Sequence, residues 1–190
     1  MIEAALYSAL GLAGLAAVVL GLAWRRPDRM RVVRSCEINA PPAAIFPLIN
    51  DLRLFSTWSP FEKDPRMTRT YSGPAFGPGQ RMDWNGNSEV GEGSVTILSS
   101  QPSSRVDMQL VMIRPMRGDN HVTFTIEPRA GRTTVTWAIE GAVPLIAKVL
   151  GLFVDMDRMC GGAFEQGLAN LMARVEREPA VATRISGGMS

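Results

Sequence analysis

The chain has 190 residues, 46% of them hydrophobic and 20% charged, with a formal net charge of +2; this balance excludes a disordered or fibrous protein and leaves room for one ordinary domain. The two cysteines, Cys36 and Cys160, lie far apart with no CxxC spacing, and His121 is the single histidine, which excludes a disulfide framework, a thiolate zinc site and any site needing two imidazoles. Charge is concentrated: residues 25–34 carry net +4, whereas residues 35–190 carry net −1, so the chain lacks the broad basic face that nucleic acid needs and DNA and RNA are excluded as partners.

From Ala4 to Ala23 twenty residues carry no charge, and at about 1.5 Å rise per residue such a helix matches the roughly 30 Å hydrocarbon layer of a bilayer. Residues 2–24 are therefore expected to form a transmembrane helix, with Tyr7 and Trp24 near its ends at headgroup level. A cleaved signal peptide carries its basic residues before the apolar run; here only Glu3 precedes it and the arginines follow. The positive-inside rule then places the amino terminus outside and everything after Trp24 in the cytoplasm, as a single-pass protein of the cell membrane. Residues 25–31 form a basic linker whose Arg25, Arg26, Arg29 and Arg31 are expected to fix topology and lie against anionic lipid. Ala5, Ala9, Ala13, Ala17 and Gly21 recur every four residues; this stripe is either chance in an alanine-rich helix or the contact face of a homodimer.

After the linker, Val32 to Ile38 reads as a strand. Pro41 and Pro42 then set the backbone for a helix over Ala43 to Asn50, which Pro47 shortens or kinks before a second piece over Asp51 to Phe55. Gly73, Pro74, Gly77, Pro78 and Gly79 mark a loop. Apolar residues then fall at alternate positions in five runs: Met82 and Trp84; Val95 and Ile97; Val106, Met108, Leu110 and Met112; Val122, Phe124 and Ile126; Val135, Trp137 and Ile139. Period two with one wet face is the signature of an antiparallel meander. The period changes to 3.6 from Met156 to Val175, with Asp155 or Asp157 as the cap and an end before Pro179. Residues 179–190 are expected to be a disordered tail. One amphipathic helix and a set of one-faced strands must bury their apolar sides together, giving an α+β domain over residues 32–178 with a curved sheet wrapped around the last helix.

Four segments carry a resemblance: Trp58-Ser59-Pro60-Phe61, Tyr71-Ser72-Gly73-Pro74, Trp84-Asn85-Gly86-Asn87 leading to Val90-Gly91-Glu92-Gly93, and Phe164-Glu165-Gln166-Gly167-Leu168. Together with the element order they resemble the START-like (SRPBCC) superfamily, in its polyketide cyclase/dehydrase and lipid-transport branch. The resemblance implies the helix-grip fold, with a deep apolar cavity between sheet and last helix that holds lipids, sterols or polyketides. On that basis Trp84, Met108, Leu110, Met112, Phe124, Ile126, Trp137, Met156, Cys160, Phe164 and Leu168 are the candidate ligand-binding residues. Each is either plain core or cavity lining, and eleven methionines in the chain suit a site that repacks around varied apolar ligands. Gly161, Gly162 and Gly167 interrupt the last helix at about 1 kcal/mol each relative to alanine, for the sake of either close packing or pocket volume.

Signals for catalysis are thin. Asp155 and Asp157 point to different helix faces, while Asp83, Asn85, Glu89 and His121 fall on the wet side of their strands or turns. Family members that cyclise polyketides place polar groups inside the cavity, whereas here the indoles of Trp84 and Trp137 are the main inward polar groups. No phosphate loop, dinucleotide fingerprint or metalloprotease motif is present, and neither cofactor nor metal is expected. Three readings stand: a membrane-tethered module that binds a lipid or an isoprenoid- or polyketide-like molecule, a cyclase or dehydratase, and an interaction scaffold with a filled core.

Overall fold

Alanine and leucine dominate the first helix, α1 (Ile2–Trp24), and both favour helix over other backbone states. The computed structural model describes residues 2–152 and 156–177, without the side chains of 2–6, 8, 9, 156 and 159. Leu10, Leu12, Leu15, Val18, Leu20 and Leu22 of α1 are exposed, as are Ala13, Ala17 and Gly21 of the small-residue stripe. The helix expected over residues 2–24 is thus present, although among the described residues no helix is long and apolar enough to cross a membrane.

Strand β1 (Arg29–Ile38) starts three residues ahead of the expected Val32. Its continuous pairing with the last strand, from Arg29 opposite Ala142 to Ile38 opposite Thr133, draws the arginine segment into the ladder. The linker is therefore residues 25–28 and not 25–31. Arg31 consequently faces Glu140, with Nε 2.9 Å from its carboxylate. Helix α2 (Pro42–Asn50) opens on Pro42 after an extended Pro41 and accommodates Pro47. Asp51 then returns to extended backbone and caps α3 (Leu52–Phe55) by accepting from the Arg53 amide.

Edge strand β2 (Thr68–Ser72) is an addition to the expected elements, because Thr68-Arg69-Thr70-Tyr71-Ser72 shows no apolar alternation. Its loop to β3 (Arg81–Asn85) turns at Gly73, whose φ of +81° and whose neighbour, the Gly79 carbonyl oxygen that a Cβ would strike, admit only glycine. Gln80, fully buried, ties that loop to α3: its Nε2 donates to Ala75 O at 2.7 Å and Asp51 Oδ1 at 3.0 Å, while its Oε1 accepts from the Leu52 amide at 2.8 Å. The four long strands follow as expected: β4 (Glu92–Gln101), β5 (Arg105–Arg114), β6 (Gly118–Arg129) and β7 (Arg132–Ala142). All pair antiparallel in the order β1-β7-β6-β5-β4-β3-β2, with irregularities in the β4–β5 register after Glu92 and Ile97; such bulges bend and twist a sheet.

Short helix α4 (Leu145–Leu150), opened by Pro144, is a second addition and packs against α1. The last helix, α5 (Met156–Arg177), lies across β1 and β7 and touches α2. Asp155 and the tail lie outside the described residues. Asp157 sits in the first turn of α5 and reaches across to Arg34, where Nη2 and Oδ2 are 2.9 Å apart. Two of the three helix glycines mark close approach: a Cβ at Gly167 would stand 2.7 Å from the Trp137 ring and 2.9 Å from Pro60, and one at Gly161 would strike the Arg34 guanidinium. Gly162 has nothing within 4 Å, and nothing in the structure explains it.

Candidate ligand-binding site

Alternation sends every second residue of each strand toward α5, and the register aligns these residues in rows across the sheet. One row runs Trp84, Gly93, Met112 and another Met82, Val95, Leu110; further along stand Met108 beside Val122 and Phe124 beside Trp137. The middle of this face is closed by aromatic packing. Trp137 stacks on Phe164 with centroids 4.2 Å apart and planes 5° from parallel, lies 4.9 Å from Phe124, and meets Phe55, Trp58 and Phe61 edge-on. Such pairs add to the burial of each ring.

Of the candidate ligand-binding residues, Met108, Phe124, Ile126, Trp137, Phe164 and Leu168 come together in this packed core. Trp84, Leu110, Met112 and Cys160 are half-buried at its margin, and the side chain of Met156 lies outside the described residues. Trp84 lies over Gly93, where a Cβ would stand 2.7 Å from its ring, and its Nε1 donates to Val90 O at 3.4 Å. The indole N–H of Trp137 is buried and finds no partner among the described residues.

The inner face is less apolar than the strand pattern implies. On β1, Arg34 alternates with Val32 and Cys36, so it points at α5, where Nε donates to Glu165 at 2.8 Å and Nη2 to Asp157 at 2.9 Å. This pairing holds the Asp157 carboxyl below its ordinary value. On β2, opposite Trp84, Arg69 pairs with Glu62. The strand pattern hides Arg34 because it sits among apolar neighbours in an arginine-rich segment, and hides Arg69 because its strand has no alternation to reveal it. Burial pushes the Cys36 thiol up to about 11 and also raises Cys160, so neither is a ready nucleophile.

The wet face holds the remaining polar candidates. Asp107 accepts from Arg105, Thr123 and His121, chiefly the Arg105 contact keeping it well below the carboxylate range against the cost of burial. Asp83 pairs with Arg81, Asn85 accepts from Arg114, and Glu89 pairs with Lys63; these are surface contacts. Among the described residues no three His, Cys, Asp or Glu side chains gather as a metal site.

A cavity of about 330 Å³ lies where the end of the inner face meets α4 and the linker after α1. Its apolar walls are Met30, Met112, Met116, Ala142, Val143 and Ala147, so of the candidate ligand-binding residues it is Met112 that lines it. Asn120 and Lys148, 8% and 7% exposed, line it together with Arg26, Arg29 and Arg117. The Lys148 ammonium donates to Asp28 at 2.5 Å, and the Val143 amide donates to Asp28 O at 2.8 Å, which pins the linker to the wall. The available sequence signal for this wall is the apolar run Leu145-Ile146-Ala147 after Pro144, since proline at a helix start is common. A second, more open groove of about 450 Å³ lies at the opposite end, between Pro41–Pro42 and the β6–β7 turn.

A seven-stranded antiparallel sheet gripping a long carboxy-terminal helix, with an apolar cavity at one end, defines a helix-grip protein. The chain belongs to the polyketide cyclase/dehydrase and lipid transport family, whose model matches residues 29–176. No curated protein matches it significantly. Among solved structures, it is similar to the protein MLL2253 from Mesorhizobium loti, at 18% identity and a TM-score of 0.56 over 80% of this chain and 100% of that one. The Aha1 dimer from Colwellia psychrerythraea is similar at 17% identity and a TM-score of 0.56, over 80% of this chain and 99% of that one. DynU16, from the dynemicin biosynthetic locus, is similar at 16% identity and a TM-score of 0.52, over 80% of this chain and 48% of that one. At these identities the likeness is one of fold.

Proposed function

We propose that this protein is a membrane-tethered module that binds a hydrophobic small molecule at the inner end of its sheet. The observation that carries the reading is the cavity of about 330 Å³ with methionine- and alanine-rich walls beside the linker from α1; flexible thioethers suit an apolar guest, and the volume falls in the range of about 300–1,000 Å³ usual for ligand pockets. Family membership supports the choice of guest. The exposed leucines of α1 support its insertion in a bilayer, with the amino terminus outside, the domain in the cytoplasm, and Arg25 and Arg26 at the anionic lipid surface. Anchoring keeps the cavity beside a guest that concentrates in the bilayer and so raises the frequency of encounter. The small-residue face of α1 is the surface for pairing two copies.

Native mass spectrometry of the full-length protein, gently extracted from its own membrane, tests the binding. A stoichiometric apolar passenger is the expected result. An empty protein, with no thermal shift in a lipid and polyketide panel, overturns the reading. Resistance to carbonate extraction tests the tether, and release into the supernatant refutes it.

A further inference from the structure

The polar groups of the cavity are not arranged as an apolar guest alone would require. Arg26, Arg29 and Arg117 line it, yet among the described residues none of them pairs with a carboxylate. Lys148 adds a fourth cation, balanced by the single carboxylate of Asp28. These three exposed arginines reach the rim of one apolar cavity from two separate segments, the linker with β1 and the β5–β6 turn, and so give its mouth a positive charge that favours an anion. Arginine offers planar forks of donors suited to carboxylate and phosphate.

Asn120 makes the second, independent point. It is buried on the inner face of β6 and lines the cavity, and its amide makes no hydrogen bond among the described residues. It stands in space that Gly141 alone leaves open, since a Cβ there would strike its oxygen. The amide is open to the cavity, where a polar group of a guest can take the place of water. An oxygen-bearing headgroup does so.

Size narrows the class. At about 30 Å³ for a water- or methylene-sized group, a cavity of about 330 Å³ holds roughly eleven such groups, which is one short chain with its head and far less than a two-chain lipid. We infer that the cavity takes a single-chain anionic amphiphile, its carboxylate or phosphate held by Arg26, Arg29, Arg117 and the Asn120 amide and its chain lying among the methionines. This deepens the proposed function and rests on the cavity being the binding site. The head belongs either to a free acid or to a membrane lipid whose chain enters only in part.

The test measures displacement of radiolabelled decanoate from full-length protein in neutral detergent. Decanoate and decanol share a chain, so their ratio isolates the charge. The expected result is that decanoate binds at least about tenfold better than decanol, and that the Arg29→Gln/Arg117→Gln double variant, altered only at exposed side chains, loses that preference while still binding decanol. Equal binding of acid and alcohol, or a preference unchanged in the variant, overturns the anionic head but leaves the hydrophobic-ligand reading intact. Binding of neither overturns that reading as well. Competition by phosphatidylglycerol added to the micelles assigns the head to a membrane lipid, and its absence assigns it to the free acid.

Discussion

Placing alanine at each glycine of α5 in turn subjects one helix to the same chemical change in three different surroundings. Each substitution gains about 1 kcal/mol of helix propensity. At Gly162, where nothing lies within 4 Å, that gain stands alone and the protein is stabilised by about 0.5–1 kcal/mol. At Gly161 the new methyl displaces the Arg34 guanidinium, which swings aside and loses its contacts to Asp157 and Glu165; exposed pairs contribute little, but their loss and the crowding offset the propensity gain. At Gly167 the neighbours are an indole ring at 2.7 Å and a proline ring at 2.9 Å, and neither can swing away. The helix must lift off Trp137, whose stack on Phe164 leaves it no slack. Overpacking costs about 1–3 kcal/mol, which leaves a net loss of up to about 2 kcal/mol after the propensity gain. Thermal unfolding of the three full-length variants, followed by near-ultraviolet circular dichroism, reads these as shifts of about 2–4 °C per kcal/mol for a chain of this size. The expected order of midpoints is Gly162→Ala, then Gly161→Ala, then Gly167→Ala. A Gly167→Ala protein as stable as Gly162→Ala would refute the close contact of α5 with Trp137.

Three further outcomes are expected. Asp107→Asn lowers stability at pH 7 by about 2 kcal/mol through loss of charge-assisted hydrogen bonds. The folded carboxyl titrates below its ordinary value of 3.8, so its contribution is full above that value and fades as the pH falls through the lower folded one; urea midpoints should show the deficit of the variant shrinking between pH 5 and about pH 2. Cys36, with its thiol raised to about 11, should alkylate with iodoacetamide at pH 8 far more slowly in the native protein than in urea, and equal rates would contradict its burial. Gln80→Ala strands the Leu52 amide and the Ala75 carbonyl, at an expected loss of about 2–4 kcal/mol in denaturant unfolding, and a neutral variant would refute the fully buried placement of this side chain.

Most of the architecture is legible in the sequence because its signals are local. The alternating runs from Met82 to Ile139 form strands β3–β7, and the 3.6 period after Met156 forms α5, since in each case the buried face has to follow the element's own repeat. The features that escape the sequence share a cause: pairing and packing decide matters on which local pattern is silent. Thr68–Ser72 is a strand because β3 offers it an open edge, and Arg29 to Arg31 join β1 because β7 is long enough to pair with them. Arg34 reads as one more cation of a basic patch until α5 supplies Asp157 and Glu165. The cavity is the hardest part to read. Its walls come from the linker, β1, β5, β6, β7 and α4, and no single stretch of sequence announces a meeting of six segments. Nor does alternation distinguish an inward methionine that packs solidly, such as Met108, from one that borders empty space, such as Met112.

The four residues between Trp24 and Arg29 reach at most about 14 Å even when fully extended, and they are clamped at Asp28 through both its carbonyl and its carboxylate. With α1 also resting on α4, the first helix meets the domain at two places, the linker and α4. Both places, α4 and the start of β1 beyond the linker, are walls of the cavity. The pocket therefore lies at the end of the domain nearest the first helix.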